Sequence, residues 1–567
     1  MLLYKNMLLE ESGDTGGALA HLDSCEAQIL DKLGLKEKRG QLLLGLGRFD
    51  EAAGVYADLL SRNVENGGYH AGRQAAALRS STIIPHWHTI DVSPDTEGVL
   101  RELYAGLQKQ YPRSEMSRRL PLDFVQTAET FRDALTTYAM PVVRKGVPSL
   151  YANLKPLAST EWKRNAMTAL FGEWLASLEA SGCLPGSGRK ELPSTVLWIR
   201  VLVALHSDQC GDSAKALEQI DMAIEHTPTL VDLYIFKARI FKHAGELQLA
   251  SDWMEQARGM DLADRYLNTK STRYLLRADR IEQAQNIIAL FTKDGDGPSN
   301  LFDMQCMWYE LESAASYLRI GDFGRALKSF TSVEKHFSDI VEDQFDFHTY
   351  CIRKMTLRAY VRMLRLEDRV WGHHFYVRAA RGVIETYMRI VDCKEGGGAQ
   401  AAAAEMAADD EMSAAERKKA DSKRKKAEAK AKAEAEAKKE AEKTEGANAK
   451  GKKGVPKERA PDEDPDGATL AAVADPLDRA SAYLRTLQAH APSDLQTHTY
   501  AYEVAMRKKK YLLALRGLLK AQAIAPADAS MHARVGAGIV PSLKLSDRTI
   551  RPGGHQAGVR CAKCADE

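Results

Sequence analysis

Small and large apolar residues recur along this chain at a fixed spacing, and the spacing is that of paired helices. From Gly47 the sequence reads GRFDEAAGVYADLLSRN, with Ala52, Tyr56 and Leu59 following the glycine at steps of five, four and three. Steps of four and three keep all three side chains on one face of a helix. A glycine ends the preceding helix, the alanine lets two helices approach, and the larger residues fill the groove between them. Thirty-four residues upstream the same frame holds Gly13, Ala18, Leu22 and Cys25. It returns as Gly211, Ala216, Ile220, Ala223 and Pro228, and 34 residues later as Gly245, Ala250, Met254 and Ala257. One more step of 34 reaches Ala284, Ile288 and Phe291. A copy at Gly321, Phe323, Ala326, Phe330 and Val333 is displaced by eight residues, which predicts a longer connection before it. Another lies near the end, at Tyr511, Ala514, Leu518, Ala521 and Pro526.

A period of 34 is that of the tetratricopeptide (TPR) helix pair. The expected fold is all-α, a TPR-type helix-pair superhelix (α-solenoid) with a basic low-complexity insertion. The repeat region is expected over residues 1–393, with its phase clearest at 13–61 and 211–295. Such stacks offer a long surface to extended or helical partners. Residues 80–195 fit the phase poorly. There, Ile83–Pro94 (IIPHWHTIDVSP) is expected as a structured loop, and helical periodicity resumes at Asp95–Tyr111 and Phe124–Tyr138. Residues 394–467 form a charged low-complexity linker or solvated helix, 468–533 further helix pairs, and 534–567 a disordered tail.

Composition agrees with helices and adds one local asymmetry. Hydrophobic residues make up 44% of the 567, charged residues 28% and aromatics 7%. No stretch reaches the ~18 consecutive apolar residues of a membrane span, so no membrane partner is expected. The N-terminus has no signal-peptide pattern, and eight mostly isolated cysteines suit reduced thiols in the cytosol. The net charge of +2 hides an excess between Arg417 and Lys453, where 15 Lys/Arg face 7 Asp/Glu. Its Ala/Glu/Lys part can form a helix through i,i+4 pairs but cannot bury a core.

Catalytic motifs are missing. There is no P-loop, GxSxG or HExxH. Arg551–Gln556 (RPGGHQ) lacks the last small residue of the acetyl-CoA phosphate-binding pattern. Cys561 and Cys564 form half of a zinc knuckle with only His555 nearby, short of the four ligands a structural zinc needs. His86 and His88, and His373 and His374, are read as loop packing, so neither a metal site nor a catalytic residue is assigned. One cationic group stands out. In YIFKARIFKHAG, Arg239, Lys242 and His243 share a helix face while Lys237 points away; one repeat later come Arg265, Lys270 and Arg273. Cations converging between repeats call for a polyanion; solvated, salt-bridged surface cations are the plainer alternative.

The long strings carry a family resemblance. TPTLVDLYIFKARIFKHAG (Thr227–Gly245), ADRYLNTKSTRYLLRAD (Ala263–Asp279), RRLPLDF (Arg118–Phe124) and above all EDQFDFHTYCIRKMTLRAYV (Glu342–Val361) resemble the large auxiliary subunit of the NatA N-terminal acetyltransferase complex, and the likeness extends over roughly residues 1–530. The resemblance implies a non-catalytic TPR scaffold around a GNAT catalytic subunit, with acetyl-CoA held only by that partner and room for a second acetyltransferase subunit. It implies co-translational acetylation of N-termini at the ribosome, hence a cytoplasmic protein with a nuclear fraction. It also implies inositol hexakisphosphate as a structural ligand, for which Arg239, Lys242, His243, Arg265 and Lys270 are the candidate residues. Lys418, Lys419, Lys423, Arg424, Lys425 and Lys426 are candidates for ribosomal RNA contact; a soluble linker and a nuclear localisation signal remain alternatives for that segment. Repeats that precede Leu2 in the family, and helices that follow Ala533, are absent, so a shortened or fragmentary chain is expected. The competing reading is a TPR adaptor or RNA-associated protein unconnected with an acetyltransferase.

Overall fold

The structure, a computed structural model, describes residues 1–84, 87, 92–292, 299–342, 357–408 and 464–528. Every named element among them is a helix, and the one bridge of strand type joins Cys183 and Lys190. Contacts divide the chain into two compact units, one of Met1–Asn300 with Glu342–Glu367, the other of Leu301–Val341 with the chain from Asp368 onward.

The first unit begins with α1 (Leu2–Glu11), α2 (Thr15–Ser24), α3 (Lys32–Gly45), α4 (Phe49–Arg62) and α5 (Gly67–Ala77). It continues through α6 (Pro94–Gln110), α7 (Ala128–Lys145) and α8 (Glu161–Ser181) to the phased pairs α9 (Pro193–Gln209) and α10 (Ser213–His226), α11 (Val231–Ala244) and α12 (Leu247–Met260), α13 (Arg265–Arg277) and α14 (Ile281–Ala289). The repeat alanines Ala18, Ala52, Ala216, Ala250 and Ala284 are at most 1% exposed. The large residues four positions later, Leu22, Tyr56, Ile220, Met254 and Ile288, are buried with them. Each such side chain stabilises the pair by about 1.5–3 kcal/mol. The turns obey the same phase. Gly211 and Gly245 sit at φ 85° and 90°, a left-handed conformation that costs glycine little. One period on, Asp279 takes that place at φ 59°; Asp is among the few residues with a side chain that tolerate it.

Between α5 and α9 the phase lapses, and buried polar contacts add to an apolar core of residues such as Leu100, Phe131 and Phe171. Within the segment expected as a loop, Ile83–Pro94, Trp87 is buried and its Nε1 donates to Gln74 Oε1 at 2.9 Å. Gln74 Nε2 donates to Tyr104 Oη at 2.8 Å, and that hydroxyl lies 3.3 Å from His70 Nδ1. The helix expected from Phe124 begins instead at Ala128, because Pro121–Phe124 form a short buried helix of their own. Its carbonyls at Leu122 and Asp123 accept from Lys163 Nζ at 2.9 and 2.8 Å. Burial pushes that ammonium down to about 8.

The second unit comprises α15 (Met307–Ile320), α16 (Phe323–Glu342), α17 (His374–Ala408), α18 (Pro476–His490), α19 (Leu495–Arg507) and α20 (Tyr511–Ile524). The connection expected to be long before Gly321 carries a short helix, Ser299–Asp303. Two segments separated in the sequence reading lie together here. α17 runs past Lys394 into the low-complexity stretch, and its earlier part packs against α18. Ion pairs tie these helices. Arg381 of α17 meets Asp494, the N-cap of α19, and Arg507 is bidentate on Asp392 at 2.8 Å through both nitrogens. Glu310 and His336, both buried, meet at 2.8 Å, and burial raises the Glu310 carboxyl.

Candidate polyanion-binding site

The cations singled out in the sequence lie on first helices of successive pairs, α11 and α13, with α9 contributing an acid. Lys242 and His243 occupy the last turn of α11, and Arg277 the last turn of α13. Cations at a helix C-terminus face the partial negative charge of the free carbonyls, which offsets part of the repulsion among positive charges at this end of both helices.

The electrostatics show which side chains meet. Half-buried Lys242 has its ammonium pushed down, first by burial and then by the charges of Arg277, Arg239 and Lys155, with Asp208 opposing. Lys270 is pushed down first by burial, then by Arg273, Arg239 and Arg277. Arg239 and Arg277 thus feel both lysines, and the group spans α11 and α13. Lys242, Lys270 and Arg239 have no carboxylate partner among the described residues; Arg239 lies over the Phe236 ring at 5.4 Å and Lys270 over Tyr266 at 5.2 Å. Lys237 behaves as its spacing predicted. It faces the other way, paired with Asp221 and 3.6 Å from the Trp253 ring centroid.

Two of the five candidates stand differently from expectation. His243 is not a bare cation: its Nδ1 donates to Asp208 Oδ2 at 2.7 Å. The Asp208 side chain is only 6% exposed, and its Oδ1 is buried without a hydrogen-bond partner. Arg265 does not join the group at all. It starts α13, exposed, with its guanidinium 5.6 Å from the Phe291 ring. Five residues along a helix turn the side chain about 140° and shift it ~7.5 Å, so Arg265 cannot face where Lys270 faces. Arg277 and Lys155 replace it. The repeat itself could have found Arg277, since adding the 34-residue period to His243 reaches it, as adding it to Arg239 reaches Arg273. Lys155 follows the short helix Leu150–Leu154 in the unphased region and carried no such signal.

Lys418, Lys419, Lys423, Arg424, Lys425 and Lys426 lie outside the described residues, as do His86, His88, His555, Cys561 and Cys564. The rings of His373 and His374 lie tilted with centroids 4.3 Å apart, and His373 lies 5.6 Å from Phe337. Among the described residues no three His, Cys, Asp or Glu gather to hold a metal ion, and no helix is long and apolar enough to cross a membrane.

Known proteins match this chain over nearly its whole length. A plant relative, the N-terminal acetyltransferase A complex auxiliary subunit NAA15 of Arabidopsis thaliana, is 45% identical over 518 residues, covering 91% of this chain and 56% of the relative. The mouse N-alpha-acetyltransferase 16, NatA auxiliary subunit, is 40% identical over 544 residues, covering 94% of this chain and 60% of the relative. The chain therefore spans little more than half the length of these relatives. Among solved structures, that of Naa15/Naa10 bound to HypK-THB is similar with a TM-score of 0.75 at 32% identity, covering 97% of this chain and 70% of the matched one. The sequence family described as N-terminal acetyltransferase A, auxiliary subunit, matches residues 1–521. With helix pairs in the expected phase and a family match over most of its length, the chain belongs to the auxiliary subunits of N-terminal acetyltransferase A.

Proposed function

We propose that this chain is a non-catalytic scaffold that seats a small GNAT acetyltransferase subunit, shapes its substrate site and anchors it at the ribosome for acetylation of nascent N-termini. The observation that carries this reading is the family match across residues 1–521. It is supported by the likeness to a chain solved with Naa10. In this reading acetyl-CoA binds the partner alone, and the scaffold contributes no reacting group. HypK-THB accompanies that matched structure, which suits a scaffold able to hold more than one protein, including a second acetyltransferase subunit.

The cations of α11 and α13 suit inositol hexakisphosphate as a structural ligand. Arg239, Lys242 and Lys270 have no ion-pair partner among the described residues, and each charge-assisted hydrogen bond to a phosphate contributes ~1.5–3 kcal/mol. His243 takes part through Asp208, and Arg265 is left out. The basic segment from Lys418 to Lys426 suits ribosomal RNA by phosphate neutralisation, an affinity that falls steeply with salt.

Co-expression with a GNAT subunit tests the scaffold. Recovery of a stable complex, with acetyltransferase activity in the complex and none in the chain alone, is expected. A chain that purifies without the GNAT partner at low salt, with inositol hexakisphosphate present, would overturn it. Deleting residues 417–453 separates the TPR-adaptor alternative. The scaffold then loses ribosome co-sedimentation but keeps its GNAT partner, whereas an adaptor loses every partner.

A further inference from the structure

We propose that the groove formed by α18, α19 and α20 is a binding site for a phosphate monoester, independent of the α11–α13 cluster. The groove encloses about 340 Å³, within the range of small-ligand pockets. Its depth comes from small residues. Ala501 and Ala505 of α19 form the floor, and Gly517 brings α20 so close that a Cβ there would stand 3.0 Å from the Tyr502 amide nitrogen.

The wall is cationic and unmatched. Arg485 comes from α18, Lys510 from the turn before α20, and Arg516 and Lys520 from one face of α20, four residues apart. None of the four has an ion-pair partner among the described residues. The lining holds one carboxylate, Asp478, and it is taken: Lys508 pairs with it and holds its carboxyl below the usual range. Several other cations of this unit are paired: Arg381 with Asp494, Arg389 with Glu385 and Arg507 with Asp392. Like charges around a concave wall repel, and low-dielectric walls focus their field on an entering anion.

The arrangement selects among anions. A phosphate monoester carries close to two charges and three acceptor oxygens, and the cations reach in from three elements. A backbone diester offers one charge and two free oxygens. Arg485 and Arg516 can each grip two oxygens with the planar guanidinium. The apolar floor leaves room for the ester's carbon body. His498, in the same wall and 3% exposed, donates through Nε2 to the Pro492 carbonyl at 2.8 Å, leaving Nδ1 buried without a partner.

The test uses the full chain carrying Lys242→Glu, so that the other cluster does not compete, with phenyl phosphate as probe. Titration calorimetry should show saturable binding at one site. Arg516→Gln with Lys520→Gln should weaken it about tenfold or more, as loss of two charge-assisted contacts requires. Phenylsulfonate, a single charge, should bind at least about tenfold more weakly. If the α20 variant melts earlier, Arg485→Gln with Lys510→Gln on other elements repeats the experiment. No saturable binding, or binding indifferent to both double variants, overturns the proposal. So does equal, variant-sensitive binding of an RNA oligonucleotide without a terminal phosphate, which would make the groove a nucleic-acid backbone surface. Neither result bears on the α11–α13 cluster, whose loss is already built into the chain used.

Discussion

The phased helices α9–α14 and the bundle α17–α20 carry cations that differ in their partners. Where α17 meets α19 they are matched by acids on the neighbouring helix: Arg381 by Asp494, Arg507 by Asp392. In α11 and α13, Arg239, Lys242 and Lys270 lie together with no ion-pair partner among the described residues, and burial with neighbouring cations pushes the two lysines down. The first arrangement spends charge on holding helices together. The second keeps charge available for a ligand, at a small cost to the free protein. Lys237 makes the contrast on a single helix: five residues before Lys242 it has both Asp221 and the Trp253 ring.

The largest expected effect tests the unmatched side. Arg239→Glu with Lys242→Glu should weaken inositol hexakisphosphate by about 100-fold or more, since two charge-assisted contacts are reversed, and should loosen association with the GNAT subunit. Calorimetry showing unchanged affinity would remove the ligand from this cluster. Asp494→Ala tests the matched side. It removes both the N-cap of α19 and the partner of Arg381, and should lower stability by about 1–2 kcal/mol in urea unfolding with no change in inositol phosphate affinity.

A pH experiment sharpens the contrast further. Folded Lys242 and Lys270 titrate below the ordinary lysine value. Between the two values the unfolded chain holds more protons, so stability rises with pH across that alkaline window. A bound polyanion returns the lysines toward charge, so ligand binding there should take up protons. Calorimetry in buffers of different ionisation enthalpy reads the uptake, and proton release would contradict the cluster. Lys242→Met should stabilise the ligand-free chain by only a few tenths of a kcal/mol, because a half-exposed charge is well screened. Smallest of all, Arg265→Ala should leave inositol phosphate affinity within about twofold, as expected for an exposed cation outside the cluster. A larger loss would bring Arg265 back into the site.

Much of the fold was legible because a helix pair is a local object. The buried alanines and the left-handed turns follow from residues within one 34-residue window, and even Asp279 keeps the place of a glycine. Where the phase lapsed, contacts came from pairs no local pattern links: Trp87 with Gln74, or Lys163 with the carbonyls of Leu122 and Asp123, 41 and 40 residues away. Of the cationic cluster, the helix-face spacing grouped Arg239, Lys242 and His243, and nearness in the stack added Lys270. Neither could find Lys155, and Arg265 was counted by nearness in sequence when its face turns away.

The sequence alone determined a helical repeat protein, its period, its buried positions and the concentration of cations on α11 and α13. These follow from helix periodicity, which acts within a few turns. The tertiary structure decided which cations meet and which are neutralised. Asp208 on α9 claims His243, Arg277 and Lys155 close around Lys242, and α18–α20 leave a groove without a free acid. Those outcomes depend on stacking that brings side chains a full repeat or more apart into each other's field, where the nearest opposite charge determines whether a cation holds helices together or remains available for a ligand.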